Sequence, residues 1–335
     1  MARKPGFLAD LKSRRALFEV RARYLGALRS FFHRGGFLEV DPPCLVPAAG
    51  MEPHLDSFLV RGLASGWEAY LPTSPEFYLK KLLATGVERC FALAPAFRDE
   101  PASQGHSPEF LMLEWYRRGS SRRQLMQDCA DLLSKLGRGF LRGGALEREG
   151  RRYELDKGVE VLTLSEAFQR FAGYDWLELD SIEAWRMLAR RHGAEGTEAW
   201  DENDCFSFLM VVKVEPGLAH IPRPAVVEGF PAFQAALAKL RTGDPRIAER
   251  FELYLAGVEL ANAYSELTDP LEQRERYKRY QTERLRQGKP AHPADSQFFR
   301  AVAHLPECVG IALGADRLLA LLLDESVPRV RHGCY

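Results

Sequence analysis

The sequence predicts an α+β fold, an antiparallel sheet flanked by helices, and three observations carry that prediction. Two strand-like runs, Cys90–Arg98 and Glu109–Tyr116, are joined by a polar loop containing Gly105, the pattern of a long hairpin. Helical runs flank the strands without the regular βαβ alternation that builds a parallel sheet. No G-x-G-x-x-G fingerprint opens a helix after a strand, which removes the commonest dinucleotide-binding architecture.

The elements follow in order. Residues 13–33 read as an amphipathic helix with Leu17, Tyr24, Leu28 and Phe31 on one stripe. Gly35-Gly36 stops it, and Phe37–Val40 reads as a strand closed by Asp41-Pro42-Pro43. Ser74-Pro75-Glu76 opens a helix: Ser as cap, Pro at the first helical position, Glu against the positive helix end. The hairpin comes next. From about 120 to 245 the pattern is mostly helical, with Thr163-Leu-Ser-Glu166 and Asp180-Ser-Ile-Glu183 as capping-box starts. Strand character returns at Phe251–Glu266, followed by a highly charged helix over Pro270–Gln287. Cys308–Leu313 reads as strand, Gly314 as turn and Ala315–Leu323 as helix.

Composition narrows the class. The 335 residues carry 46 Lys+Arg against 46 Asp+Glu, so there is no global basic field of the kind that grips long nucleic acid. At 46% hydrophobic and 27% charged, the chain can bury a sizeable core, which excludes a disordered or collagen-like protein. No stretch has the form of a signal peptide or a membrane span; the nearest, 310–323, is interrupted by Asp316 and Arg317. Six cysteines and eight histidines lie scattered, without C-x-x-C or H-x-x-x-H spacing. That argues against a structural zinc and for a reducing, cytoplasmic setting.

Three segments carry chemistry. Along Glu109–Tyr116, Phe110, Met112, Glu114 and Tyr116 share a face, and on the preceding strand Ala92, Ala94, Ala96 and Arg98 share one. An isolated hairpin of this kind is an ordinary amphipathic pair with Arg98 in solvent; the alanine run points instead to a floor under a ligand. Gly314-Ala315-Asp316-Arg317 sets two charges inside an apolar stretch, which fits either an Asp316–Arg317 ion pair or an anion site at a helix start. In Glu259–Glu266, seven residues put the two carboxylates on opposite faces of an unbroken strand. They serve one pocket only if the strand bulges or ends between them. The other reading, a solvated strand edge, is weakened by Val258, Leu260 and Leu267 around them.

Together these segments resemble the three signature motifs of class II aminoacyl-tRNA synthetases: the first helix with GFLEVDPP and its Pro43, FRDE…HSPEFLMLEWY (97–116), and GIALGADRLLAL (310–321). TSPEFYLKKLLATG (73–86) and ERFELYLAGVELANAYSELTD (249–269) are similar to the lysyl branch, and most of all to its elongation factor P lysine ligases. The resemblance runs from about residue 15 to 325.

Carried over position by position, the resemblance implies a catalytic set of Arg98, Glu259 and Arg317. Arg98 would hold the ATP α-phosphate and the amino acid carboxylate, and Arg317 would face the γ-phosphate. Phe110 would stack on adenine. Asp99, Glu100, Ser107, Leu260 and Gly314 fall at nucleotide-site positions, and Glu259 at a Mg²⁺ position. Ser74, Pro75, Glu76, Glu114, Tyr116, Asn262, Glu266 and Ala312 match the amino acid pocket. Carboxylates opposing a lone arginine suit a substrate with two amines and one carboxylate, lysine or β-lysine rather than leucine. Ser107 departs from the usual Asn, Gly105-His106 stands where an aromatic or basic residue is usual, and Ala263-Tyr264 replaces a usual Gly-Phe.

The family also implies ATP and Mg²⁺ as cofactors and a homodimer built through the motif 1 helix and strand. The whole chain, 1–335, is expected to be one catalytic domain with a mostly helical insertion at about 120–245. The first motif begins near residue 13, which leaves no room before it for an anticodon-binding domain, so tRNA is not the expected acceptor. Ala312, where lysyl-tRNA synthetases usually have Gly, points the same way. The expected reaction is activation of (R)-β-lysine or lysine and transfer to a lysine ε-amine of elongation factor P, with no membrane involved. A truncated lysyl-tRNA synthetase-like enzyme acting on tRNA is the first alternative. The second is a non-catalytic amino-acid-sensing paralogue, against which retention of Arg98, Glu259, Glu266 and Arg317 argues.

Overall fold

Helix α1 (Arg15–Arg34) buries Arg21, Tyr24, Leu28 and Phe32, a repeat of three to four residues that keeps one stripe on the core. The computed structural model describes residues 14–103 and 105–331; residue 13 of the expected helix, Cys334 and the end of the C-terminal tail lie outside these. Phe32, rather than Phe31, makes the fully buried contact, and Leu17 and Phe31 pack half-buried beside it.

Strand β1 (Leu38–Glu39) is followed by a separate small hairpin, β2 (Leu59–Arg61) and β3 (Glu68–Tyr70). Helix α2 (Glu76–Leu83) precedes the long hairpin, β4 (Arg89–Phe97) with β5 (Glu109–Arg118). Helix α3 (Arg122–Phe140) and the hairpin β6 (Ala145–Arg148)/β7 (Arg151–Glu154) come next, then β8 (Glu160–Thr163). Helices α4 (Leu164–Phe171), α5 (Ile182–Arg191), α6 (Glu202–Leu209) and α7 (Glu215–Leu218) lead to β9 (Ala225–Pro231) and the short β10 (Leu240–Arg241). A second long hairpin, β11 (Asp244–Leu255) with β12 (Val258–Ser265), is followed by α8 (Pro270–Arg286) and α9 (Ser296–Val302). Strand β13 (Cys308–Gly314), α10 (Ala315–Leu323) and α11 (Val327–Arg331) complete the described chain.

The main sheet runs β1-β4-β5-β13-β12-β11-β9-β8, with β10 paired to β11. Only its outer pairs, β1 with β4 and β8 with β9, are parallel. One face carries Leu113, Trp115, Ile311 and Leu313 against α1, α3 and α10 in a continuous apolar cluster. Each such side chain contributes roughly 1.5–3 kcal/mol by leaving water. Asp316, at the start of α10, ties this layer together. It pairs with the buried Arg21 of α1 and accepts a hydrogen bond from the Leu111 amide of β5 at 2.7 Å. Neither sequence-based reading of the Asp316–Arg317 pair therefore holds for Asp316, whose partner is Arg21.

The segment 120–245 is less helical than expected: it supplies β8, β9 and β10 to the main sheet and forms the separate β6/β7 hairpin. Strands of four to seven residues bounded by helical runs have too few alternating positions to announce themselves. The capping box at Thr163 and Glu166 is present, whereas Ser181, not Asp180, caps α5. The run Phe251–Glu266 is two strands. Ala256 and Gly257 turn between them with φ of 53° and 75°, the double left-handed conformation of a tight hairpin turn.

Candidate active site

Strand register builds the site's floor. Pairing across β4, β5, β13, β12 and β11 aligns Ala92, Glu114, Ala312, Asn262 and Glu252 in one row. The next row is Cys90, Tyr116, Gly310, Tyr264 and Arg250. Above the β5, β13, β12 and β11 members of these rows, on the face opposite the apolar core, lies a cavity of about 420 Å³; Cys90 and Ala92 of β4 are covered by α2 instead.

Its deep end is acidic. Glu76 enters from the first turn of α2, Glu114 from β5 and Glu266 from the residue after β12; Glu114 and Glu266 are 0% exposed. Ser74 Oγ donates to Glu114 at 2.6 Å and accepts from the Glu76 amide at 3.0 Å, so one hydroxyl joins a helix start to the sheet. Tyr116 OH donates to Glu114 at 3.2 Å. Burial and the charge of Glu76 push Glu114 up to about 8, against the lowering effect of these two donors. Burial pushes Glu266 up to about 7, although Lys80 pulls it down. Gly310 makes the close packing possible: a Cβ there would collide with the Tyr116 ring and with Glu266 Oε1.

Lys80, one helical turn beyond Glu76, sits behind this wall at 1% exposure. Its Nζ lies 2.6 Å from Glu76 Oε1 and 2.6 Å from Glu266 Oε2. Lys80 occupies Glu266 Oε2, and Oε1 has no hydrogen-bond partner among the described residues, which leaves it open to a further donor.

The β11–β12 register answers the question of parity. Leu253 pairs with Ala261 but Tyr254 pairs with Glu259, so Leu260 is an extra residue in β12. That bulge re-aims the strand, and Glu259, Leu260, Asn262 and Glu266 all line the cavity. Asn262 donates to Glu259 and accepts from Arg250, which also pairs with Glu252. Burial and the neighbouring Glu259 push Glu252 up to about 7, against the pull of Arg250. Burial and Glu259 likewise push Glu215 up to about 7. No group of three metal-type ligands forms among the described residues; Glu252 and Glu259 lie near enough to repel each other, with Glu252 held by Arg250 and Tyr254 and Glu259 by Asn262.

The outer end is basic and aromatic. Arg98 follows β4, its guanidinium 5.1 Å from the centre of the Phe110 ring, and its buried Nε has no hydrogen-bond partner among the described residues. Ser107 Oγ is likewise buried without a partner. His106 Nδ1 stands 3.5 Å from Glu100 Oε2 on the loop between the hairpin strands. Arg317, in the first turn of α10, donates to the Glu259 carbonyl at 2.9 Å. Gly314 has an ordinary φ of −69°, so it matters for its missing side chain rather than for backbone freedom.

Of the residues singled out from sequence, the structure gathers Ser74, Glu76, Arg98, Glu100, Ser107, Phe110, Glu114, Tyr116, Glu259, Leu260, Asn262, Glu266, Ala312, Gly314 and Arg317 around one cavity. Two do not reach it. Asp99 is exposed, tied by its amide to the Asp56 carbonyl at 2.9 Å, and Pro75 is buried at the start of α2. The alanine run is also not a ligand floor. Ala92 and Ala94 pack with Leu79 and Leu83 of α2, so their small size lets that helix, and Glu76 on it, approach the sheet. Sequence reasoning missed Lys80, Arg250, Glu252 and Gly310. The i, i+4 spacing of Glu76 and Lys80 was a signal for the first; a turn at Ala256-Gly257 alone would set Glu252 opposite Ala261, and only the extra residue Leu260 brings it opposite Asn262.

No helix among the described residues is long and apolar enough to cross a membrane. Residues 8–331 match the family described as tRNA synthetases class II (D, K and N). The chain is 38% identical over 310 residues to an elongation factor P–(R)-β-lysine ligase of Sodalis glossinidius, covering 90% of each chain. It is 39% identical over 311 residues to the ligase of that name from Vibrio cholerae, covering 91% of this chain and 90% of the relative. A Pectobacterium carotovorum relative of the same name is 38% identical over 313 residues, with the same coverage.

Proposed function

The chain belongs to the class II tRNA synthetase family of D, K and N type, and from that premise we propose that it is an ATP-dependent ligase for a diamino acid. It activates (R)-β-lysine or lysine as an aminoacyl-adenylate and transfers the aminoacyl group to a lysine ε-amine of elongation factor P. One observation carries the reading: a buried acidic end with an open Glu266 Oε1 faces a basic end with an unpartnered Arg98 Nε in the same cavity.

In the first step the amino acid carboxylate attacks the α-phosphorus of ATP and pyrophosphate leaves. Arg98 holds the α-phosphate and the attacking carboxylate, neutralising charge as it develops. Phe110 presents a ring face to adenine, Arg317 faces the γ-phosphate, and Ser107 offers a hydroxyl to the nucleotide. Glu76, Glu114 and Glu266 take the two ammonium groups, with Tyr116 and Asn262 orienting them. In the second step the acceptor amine attacks the adenylate carbonyl, AMP leaves, and a proton is lost as the amide forms. Glu252 and Glu259 are hard oxygen donors of the kind that hold Mg²⁺ together with substrate phosphates. When bound there, the ion would neutralise phosphate charge. The exposed Leu38 of edge strand β1, 53% accessible beside α1, supports a homodimer through that helix and strand.

The test is mass spectrometry of elongation factor P after incubation with the protein, ATP and (R)-β-lysine, with lysine tRNA as a rival acceptor. A gain of one β-lysyl group on a lysine of the factor is expected. A gain on tRNA alone would overturn the assigned acceptor.

A further inference from the structure

Three carboxylates in one buried pocket repel one another, and burial disfavours the ionised form of each. Glu76, Glu114 and Glu266 survive this because one cation is already built into the wall. Lys80 is not a cavity-lining residue, yet its ammonium is shared between Glu76 and Glu266 at 2.6 Å to each. Burial works against that ammonium, but Glu266 and Glu76 outweigh it and push its pKa up, so it stays charged. Glu114, raised to about 8 by burial and by Glu76, holds its proton at neutral pH, so the charge that Lys80 balances is that of Glu76 and Glu266.

We infer that Lys80 is a positioning residue for substrate selection: from behind the pocket it fixes the spacing of Glu76 and Glu266 and favours their ionised forms, ready for the substrate's amines. The inference rests on the proposed diamino acid reading. Glu266 is the group most dependent on Lys80, since no other donor among the described residues reaches its oxygens. Other charged and titratable groups face this cluster. Glu52 adds negative charge beside Glu76, and β5 presents Glu114 and the Tyr116 phenol, which burial and the carboxylates keep neutral. Cys308, at the base of β13, feels both Glu266 and Lys80, but burial pushes its thiol above the neutral range. Among these groups Lys80 alone supplies positive charge. Without it, Glu76 and Glu266 would take up protons at neutral pH, and an incoming ammonium would have to displace them.

The experiment is lysine-dependent ATP–pyrophosphate exchange on wild type, Lys80→Met, Glu76→Gln and the double variant Lys80→Met/Glu76→Gln, read between about pH 6 and pH 8.5. The double variant deletes one charge of each sign, so it folds without a charge deficit even if Lys80→Met does not, and Glu76→Gln is its reference. In Lys80→Met relative to wild type, and in the double variant relative to Glu76→Gln, KM for lysine at pH 7 should rise roughly tenfold, the factor that one unit of displaced ionisation produces, and recover as pH rises. KM for ATP should stay at the wild-type value. A KM for lysine at pH 7 in the double variant equal to that of Glu76→Gln, a rise equal at every pH, or an equal rise in KM for ATP would overturn the inference. Absence of lysine-dependent exchange in wild type would remove the diamino acid reading and this inference with it.

Discussion

The two ends of the cavity solve the problem of binding charge in opposite ways. At the acidic end the protein compensates its own groups: Lys80 serves Glu76 and Glu266, and Ser74 and Tyr116 serve Glu114. At the basic end donors are left waiting, as with Arg98 Nε and Ser107 Oγ. The difference follows from burial. Fully enclosed carboxylates need permanent partners, whereas a half-buried arginine on a ring face can remain unpaired until an anion arrives. The acidic end is thus set by the fold, and the basic end is completed by the nucleotide.

That contrast can be broken from either side. Arg98→Ala removes the cation at the reacting phosphate and should lower lysine-dependent exchange by about a thousandfold while the circular dichroism spectrum is retained. Unchanged exchange would break the assignment of the basic end. Glu266→Gln should cost about a hundredfold in kcat/KM for lysine, as expected for losing a charged hydrogen-bond partner in a buried site. Its KM for ATP should not move; a shared loss would mean that the two ends are not separable. Phe110→Ala should raise KM for ATP by about tenfold through lost stacking and leave KM for lysine alone.

The smallest effect is on stability. Glu114 is raised to about 8 in the fold from an ordinary 4.5. The native state therefore holds a proton that the unfolded chain releases, and the contribution of this group to stability falls as pH rises from about 4.5 through 8. Glu114→Gln removes that loss. Without ligand its Tm at pH 8 should exceed that of wild type by roughly 2 °C, with the gap closing toward pH 5. Added lysine should raise the wild-type Tm and not that of the variant. A variant less stable than wild type at pH 8 would show that Glu114 is a structural group.

The motifs were legible because each packs its chemistry into a local pattern. Period-2 alternation put Phe110, Glu114 and Tyr116 on one face, and the parity of Glu259 and Glu266 demanded the break that Leu260 supplies. What escaped depends on long-range pairing. The role of Ala92 and Ala94 is set by α2 lying on them, and the roles of Arg250 and Glu252 by β11 pairing with β12. Lys80 reads as one more surface lysine on a charged helix until Glu266, 186 positions away, closes over it.

The account stands or falls on whether the acidic end selects a second amine. The direct measurement is ATP–pyrophosphate exchange with lysine or (R)-β-lysine against norleucine, which keeps the chain length of lysine and lacks the distal amine. Exchange with a diamino acid and none with norleucine is the predicted result. Equal exchange with norleucine would contradict it.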